Sequence, residues 1–373
     1  MPTREKKLEL LGLDLQELTG LMEEAGEPGY RGRQLYEALY GQRLGRLEEV
    51  TTLPQAVRRR LQEQAVEVGQ PRIEKRFTAQ DGTVRYLMAF GDGQSVETVW
   101  MPEGDGGEAG DGSEAGDEVE KESTTEERRR RRATICVSSQ VGCAVDCQFC
   151  LTAQLGMRRN LTAGEIVGQV LVVLDDQGVA RKRERINLVF MGMGEPFLNY
   201  ENFIKAVRLL AEGAGIAESR MTVSTAGVAP RIHDLGREPV RPKLAISINA
   251  PDDELRTRLM PINRKWNLQT LLAAAHEFPL RPRERLTFEY VLLDDVNDQP
   301  QHARALAERL RGLRAKVNLI ALNPGPGIAF ATPADERVQG FQRVLIDAGL
   351  PTFIRRPRGR EIFAACGQLK GSN

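Results

Sequence analysis

Ser139-Gln140-Val141-Gly142-Cys143-Ala144-Val145-Asp146-Cys147-Gln148-Phe149-Cys150 sets three cysteines at spacings of four and three. Three thiolates this close can share one metal centre, and iron–sulfur clusters ordinarily take four cysteine ligands. The group that fills the fourth corner decides whether such a centre is closed or catalytic. Structural zinc calls for four ligands, usually as two Cys-x-x-Cys pairs. Here there is one trio, and His233, His276 and His302 all lie far from it in sequence. A closed four-cysteine cluster would have to recruit Cys136 or Cys366. The favoured reading is a [4Fe–4S] cluster held by Cys143, Cys147 and Cys150 with one iron open.

Outward from the trio, the chain settles into a strand–helix rhythm. Apolar, β-branched runs mark strands at 134–137, 186–191, 221–224, 244–249, 286–292 and 317–321, with a seventh extended segment at 352–355. Helical periodicity marks 162–174, 200–212, 268–278, 302–313 and 335–348, the first opened by the capping box Thr162-Ala163-Gly164-Glu165. Such alternation implies parallel strands with crossover helices. Six units are too few for an eight-fold barrel, so the fold class is α/β, an incomplete (β/α)6 TIM-like barrel over 133–373. Its site belongs at the strand C-termini. Glycine and small polar residues collect at that end: Gly192-Met193-Gly194-Glu195-Pro196, Thr225-Ala226-Gly227, Ser247-Ile248-Asn249 and Asn323-Pro324-Gly325. Their alignment favours a ligand surface over a set of tight turns.

Upstream, residues 1–70 read as a small helical accessory domain. Leu15, Leu18, Leu21 and Met22 share a face behind an Asp14 N-cap, and Gly26 ends the run. Tyr30, Tyr36 and Tyr40, interleaved with Arg31 and Arg33, suit either a core or an RNA contact. Residues 71–102 read as a β-hairpin extension, with strands at 85–90 and 96–100 around Gly91-Asp92-Gly93. Glu97 lies in the second strand and faces away from Val96; alone, it signals little more than a solvated carboxylate.

Residues 103–132 read as an acidic insertion ending in an arginine run. From 103 to 127 there are eleven acidic residues and one lysine, a composition expected to be disordered. The chain has zero formal net charge, so that segment's −10 leaves +10 on the remainder. A basic body suits RNA, and Arg128 to Arg132, Arg158-Arg159 and Arg355-Arg356-Pro357-Arg358-Gly359-Arg360 would supply phosphate contacts. Five cysteines in 373 residues do not make a secreted disulfide scaffold. With no leader-like or membrane-spanning apolar run, a soluble cytoplasmic protein is expected, with no membrane partner.

The trio after a first barrel strand, with Gly194-Glu195-Pro196 after the second, resembles the radical S-adenosylmethionine (SAM) enzymes. Cys136-Val137-Ser138-Ser139-Gln140-Val141-Gly142-Cys143, Met191-Gly192-Met193-Gly194-Glu195-Pro196 and Ala364-Ala365-Cys366-Gly367-Gln368-Leu369 together resemble the RlmN/Cfr family of RNA methyltransferases, from about Tyr30 to Leu369. The resemblance implies an enzyme that methylates C2 of an adenosine in 23S rRNA, and adenosine 37 in tRNA. It implies that SAM chelates the open iron, with Gly194, Glu195, Ser224, Ser247, Ile248, Asn249 and Asn323 at the family's SAM-contacting positions. Family members commonly have Ser-Leu-His where this chain has Ser247-Ile248-Asn249; Asn keeps both donor and acceptor capacity.

Adenine C2 is electron-poor and cannot attack a SAM methyl as a nucleophile, so radical chemistry is the available route. In the implied mechanism Cys366 takes a methyl from one SAM, and a 5′-deoxyadenosyl radical from a second SAM activates that S-methyl group for addition to C2. Cys136 then resolves the covalent adduct, leaving a Cys136–Cys366 disulfide, and Glu97 matches the family's proton acceptor. A flavodoxin- or ferredoxin-type electron donor and a monomeric state are expected. Two alternatives remain open from sequence: an adenine C8 methyltransferase of the same superfamily, and an iron–sulfur electron-transfer or sensing protein with no need for a reactive Cys366.

Overall fold

A computed structural model of the chain describes residues 7–102, 132–180 and 185–371. The acidic segment and arginines 128–131 lie outside the described residues. At the N-terminus β1 (Leu8–Glu9) leads into α1 (Leu15–Glu24), α2 (Tyr30–Tyr36) and α3 (Gln55–Glu63), and β2 (Val66–Glu67) returns to pair with β1 in parallel. Asp14 and Glu17 cap α1 reciprocally, each side chain accepting from the other's amide at 2.9 and 2.7 Å. Tyr40 is core: its hydroxyl donates to the Leu13 carbonyl and accepts from the Gly12 amide. Tyr30 stays exposed, with the Arg31 guanidinium 4.9 Å from its ring.

Three strands follow, β3 (Arg72–Thr78), β4 (Val84–Ala89) and β5 (Ser95–Pro102), all antiparallel. The segment read as a hairpin therefore has an extra strand. Arg72-Ile73-Glu74-Lys75-Arg76-Phe77-Thr78 is mostly exposed at the sheet edge, so its charged residues carry no buried apolar face to mark a strand. Next come β6 (Arg132–Cys136), β7 (Gln140–Gly142), β8 (Met157–Asn160), α4 (Ala163–Asp176), β9 (Arg185–Phe190) and α5 (Tyr200–Glu212). The remainder is β10 (Met221–Thr225), α6 (Ala229–Arg237), β11 (Lys243–Ser247), α7 (Asp253–Leu259), α8 (Leu268–Glu277), β12 (Leu286–Leu292), α9 (Pro300–Arg309), β13 (Ala315–Ala321), α10 (Asp335–Asp347) and β14 (Thr352–Arg355).

One ten-stranded sheet carries the molecule in the order β14-β13-β12-β11-β10-β9-β6-β5-β4-β3. From β6 to β14 neighbouring strands are parallel, as the strand–helix alternation required. The expected α/β fold with an incomplete, parallel-rich barrel sheet is what forms, with the antiparallel strands β3–β5 continuing it. The main core runs without a break from Leu18 and Leu35 of the N-terminal helices to Leu345 of α10. Contact is intimate enough that a Cβ on Gly164, at the start of α4, would lie 2.0 Å from the Leu11 carbonyl oxygen. A second apolar cluster, with Val145, Phe149, Leu259, Met260 and Leu322, sits under the cysteine loop. Among the described residues, no helix is long and apolar enough to cross a membrane.

Candidate active site

The strand ends enclose a cleft, open at its mouth. The cysteine loop is clasped by a short hairpin, β7 against β8, pairing Gln140 with Asn160 and Val141 with Arg159. Gly142 makes the clasp possible: its φ is +79°, and a Cβ there would lie 1.7 Å from the Gly156 carbonyl oxygen. That oxygen accepts from the Cys143 amide at 3.1 Å. The hairpin was not evident in the sequence, because its strands are only three and four residues long.

All three cysteines of the trio line the cleft. Burial pushes the Cys143 thiol up to about 12 and Cys147 well above its ordinary value, and neighbouring thiolates add to both. Negative charge gathered here thus calls for a cation or a metal centre. Among the described residues no three His, Cys, Asp or Glu side chains converge on one ion-sized point. A four-iron cube, with its ligated irons at separate corners, asks instead for thiols spread around a cavity. The trio presents that arrangement.

Opposite the trio, Gly192, Gly194 and Glu195 come from the turn after β9, Ser224 and Ala226 from β10, Ser247 and Asn249 from β11, and Asn323 from the end of β13. Gly194 has φ +97°, and a Cβ would lie 2.5 Å from that of Gln140. The Gln140 Oε1 accepts from the Glu195 amide at 2.8 Å, coupling this turn to the cysteine loop. Glu195 is buried, and its carboxylate accepts from the Phe197 and Ala226 amides at 3.0 and 2.6 Å. Burial still pushes it up to about 7. Asn249 adopts φ +55°, a conformation Asn tolerates well. Its Oδ1 accepts from the Val291 amide at 2.8 Å. Ile248 does not line the cleft; it is wholly buried and contributes only backbone. The Asn323 Oδ1 is buried and has no partner among the described residues, an acceptor left open in the cleft wall.

Cys366 brings its thiol into the same cleft. The residue is exposed where it lines the cleft. The surrounding protein pushes the thiol up to about 11, chiefly by desolvation and then by the Glu289 carboxylate, while Arg355 pulls the other way. Its loop is tied down by the Leu151 amide to the Gly367 carbonyl at 2.8 Å, Thr152 Oγ1 to the Leu369 carbonyl at 2.6 Å, and the Lys370 amide to Glu97 Oε2 at 2.8 Å.

Cys136 and Glu97 stand behind the cleft wall. Antiparallel register sets Cys136 opposite Val99, and Glu97, two residues along β5, faces the same side. Cys136 is buried and its thiol is raised, mainly by desolvation and next by the Cys366 charge. Glu97 is fully buried and ion-paired with Arg85. Sequence reasoning missed Glu289, which lines the cleft and accepts from Ser224 Oγ at 2.8 Å. A lone carboxylate within Leu286-Thr287-Phe288-Glu289-Tyr290 was the available signal. Of the candidate phosphate contacts, Arg159 is engaged with Asp92 and Glu165 at 2.6 and 2.7 Å, whereas Arg158 is exposed.

Parallel strands whose C-terminal ends enclose a cysteine trio define a radical SAM protein, and residues 137–307 match the model of the radical SAM superfamily. Residues 8–66 match the ribosomal RNA large subunit methyltransferase N-terminal domain. A relative from Koribacter versatilis, described as "Probable dual-specificity RNA methyltransferase RlmN", is 63% identical over 94% of this chain and 98% of its own. The dual-specificity RNA methyltransferase RlmN of Syntrophobacter fumaroxidans is 45% identical over 95% of this chain and 96% of its own. The crystal structure of a radical SAM methyltransferase from Sphaerobacter thermophilus superposes with a TM-score of 0.87 at 40% identity, covering 98% of this chain and all of that one. The chain belongs to the RlmN family of radical SAM RNA methyltransferases.

Proposed function

We propose that this enzyme methylates C2 of an adenosine in 23S rRNA, and adenosine 37 in tRNA, with Cys366 carrying the incoming methyl group. The observation that carries this reading is that the Cys366 thiol opens into the cleft that the cysteine trio and the SAM-position residues enclose. Cys143, Cys147 and Cys150 would hold a [4Fe–4S] cluster, and Gly194, Glu195, Ser224, Ser247, Asn249 and Asn323 would surround SAM, with Ile248 shaping the turn between them. Cluster and SAM together supply the hydrogen-abstracting radical chemistry that an electron-poor adenine carbon requires.

The chain's own residues do the rest. Cys366 loses its proton and its sulfur displaces S-adenosylhomocysteine from the sulfonium methyl, forming a carbon–sulfur bond as another breaks. After the methylene carbon has joined C2 and the adduct has given up one electron to a one-electron acceptor, Cys136 loses its proton and attacks the Cys366 sulfur. The electron pair of the breaking carbon–sulfur bond passes to the methylene carbon, which takes a proton to become the methyl group, as the disulfide forms and the RNA is released; a dithiol or protein reductant then restores both thiols. Glu97, ion-paired with Arg85, takes the C2 proton. An electron donor of low potential and a monomer complete the proposal. Product analysis after anaerobic incubation with SAM and an rRNA fragment tests it: 2-methyladenosine is expected. Formation of 8-methyladenosine, or of no methylated base by cluster-loaded enzyme, would overturn it.

A further inference from the structure

Among the described residues three arginines are buried: Arg85, Arg241 and Arg256. Two are neutralised by carboxylates, Arg85 by Glu97 and Arg241 by Glu284 at 3.0 Å. Arg256, on α7, is the most completely buried, yet all of its hydrogen-bond acceptors are neutral. Its Nε donates to the Ile248 carbonyl at 3.0 Å, its Nη1 to Asn263 Oδ1 at 2.8 Å, and its Nη2 to the Ala226 and Ser247 carbonyls at 2.7 and 3.2 Å. No carboxylate among the described residues lies within ion-pair reach. Asp253, the nearest acidic influence, is occupied by Asn263 Nδ2 and the Leu268 amide. Burial pulls the guanidinium down to about 10, which leaves it charged at neutral pH.

A buried cation without an anion is costly, and proteins keep one where a counter-charge arrives. The cysteine loop docks on the helix that carries Arg256. The Gln148 amide donates to the Leu259 carbonyl at 3.0 Å, docking that loop on the end of α7. Cys147 packs against the cluster containing Leu259 and Met260. Ala226 and Ser247, whose carbonyls Arg256 grips, line the same cleft as Cys147.

We propose that Arg256 is the fixed counter-charge of the iron–sulfur centre on Cys143, Cys147 and Cys150, and that it raises the reduction potential of that centre. This inference rests on the cluster-binding reading above. A four-iron cluster with three thiolates is net negative, and one-electron reduction makes it more so. A fixed positive charge in a poorly solvated site favours the reduced form. By gripping the carbonyls of Ala226, Ser247 and Ile248, the same side chain also holds the turns after β10 and β11, so charge and scaffold roles must be separated.

Wild type, Arg256→Lys and Arg256→Gln are reconstituted anaerobically and titrated with dithionite through viologen mediators. The reduced cluster is read by electron paramagnetic resonance, and iron and sulfide are quantified. Arg256→Lys is expected to keep the wild-type potential despite losing hydrogen bonds, while Arg256→Gln shifts to a more negative potential and shows less reduced cluster at a fixed poise. Equal potentials in wild type and Arg256→Gln, or an equal fall in both variants, would overturn the proposal. If circular dichroism shows Arg256→Gln unfolded, Arg256→Lys decides alone: a held potential supports the charge role and a fallen one overturns it. Absence of iron and sulfide from the wild type would instead overturn the cluster reading itself.

Discussion

Cys366 is poised as a neutral thiol. Desolvation and the nearby Glu289 carboxylate both oppose its ionisation, so methyl acceptance has to wait for a cationic SAM sulfonium to offset them. Because the thiol is raised to about 11, the thiolate fraction without SAM should grow about tenfold per pH unit throughout the neutral and mildly alkaline range. Site-resolved mass spectrometry of iodoacetamide-treated enzyme should follow that slope at Cys366; a rate that levels off near neutrality would contradict it. At this scale the sequence was informative where spacing is short. Cys143, Cys147 and Cys150 could be grouped directly, whereas Cys136 and Cys366 are separated by most of the barrel sequence and no spacing links them. Glu289 and Arg256 were hidden because their partners come from other elements.

The β7–β8 clasp is the element on which the trio depends. Gly142→Ala must place a Cβ against the Gly156 carbonyl in a backbone conformation unfavourable to alanine. A destabilisation of roughly 2 kcal/mol or more is expected. Thermal unfolding and iron content after reconstitution should fall together; a variant that loads iron as wild type does would show that the clasp is dispensable. The main strands and the longer helices were readable because apolar periodicity extends over many residues in each. Helices α6 and α7 were not. With nine and seven residues they offer too few buried positions to reveal a period, and Asp252 capping α7 at the Leu255 amide is a purely local signal.

For the whole molecule, charge is the property that faces RNA. The ten formal positive charges outside 103–127 are balanced by the negative charge within it, on a chain whose average of zero conceals both. RNA affinity should therefore fall steeply with salt, and deletion of 103–127 should tighten non-specific RNA binding. Filter binding across a salt series tests both, and unchanged affinity after the deletion would remove the segment from the account. Alternation of strand and helix made the α/β architecture legible in advance. The continuation of that sheet by β3–β5 was not, since pairing of β5 with β6 joins residues on either side of the acidic segment.

The central claim is that Cys366 carries the methyl group while the trio holds the cluster. Intact and peptide mass spectrometry of enzyme reconstituted with SAM measures it most directly. The account predicts a methyl or methylene mass on Cys366 and on no other cysteine, lost in Cys366→Ala while the iron content stays at the wild-type level. An unmodified Cys366 in enzyme that still methylates RNA, or loss of iron on its replacement, would contradict it.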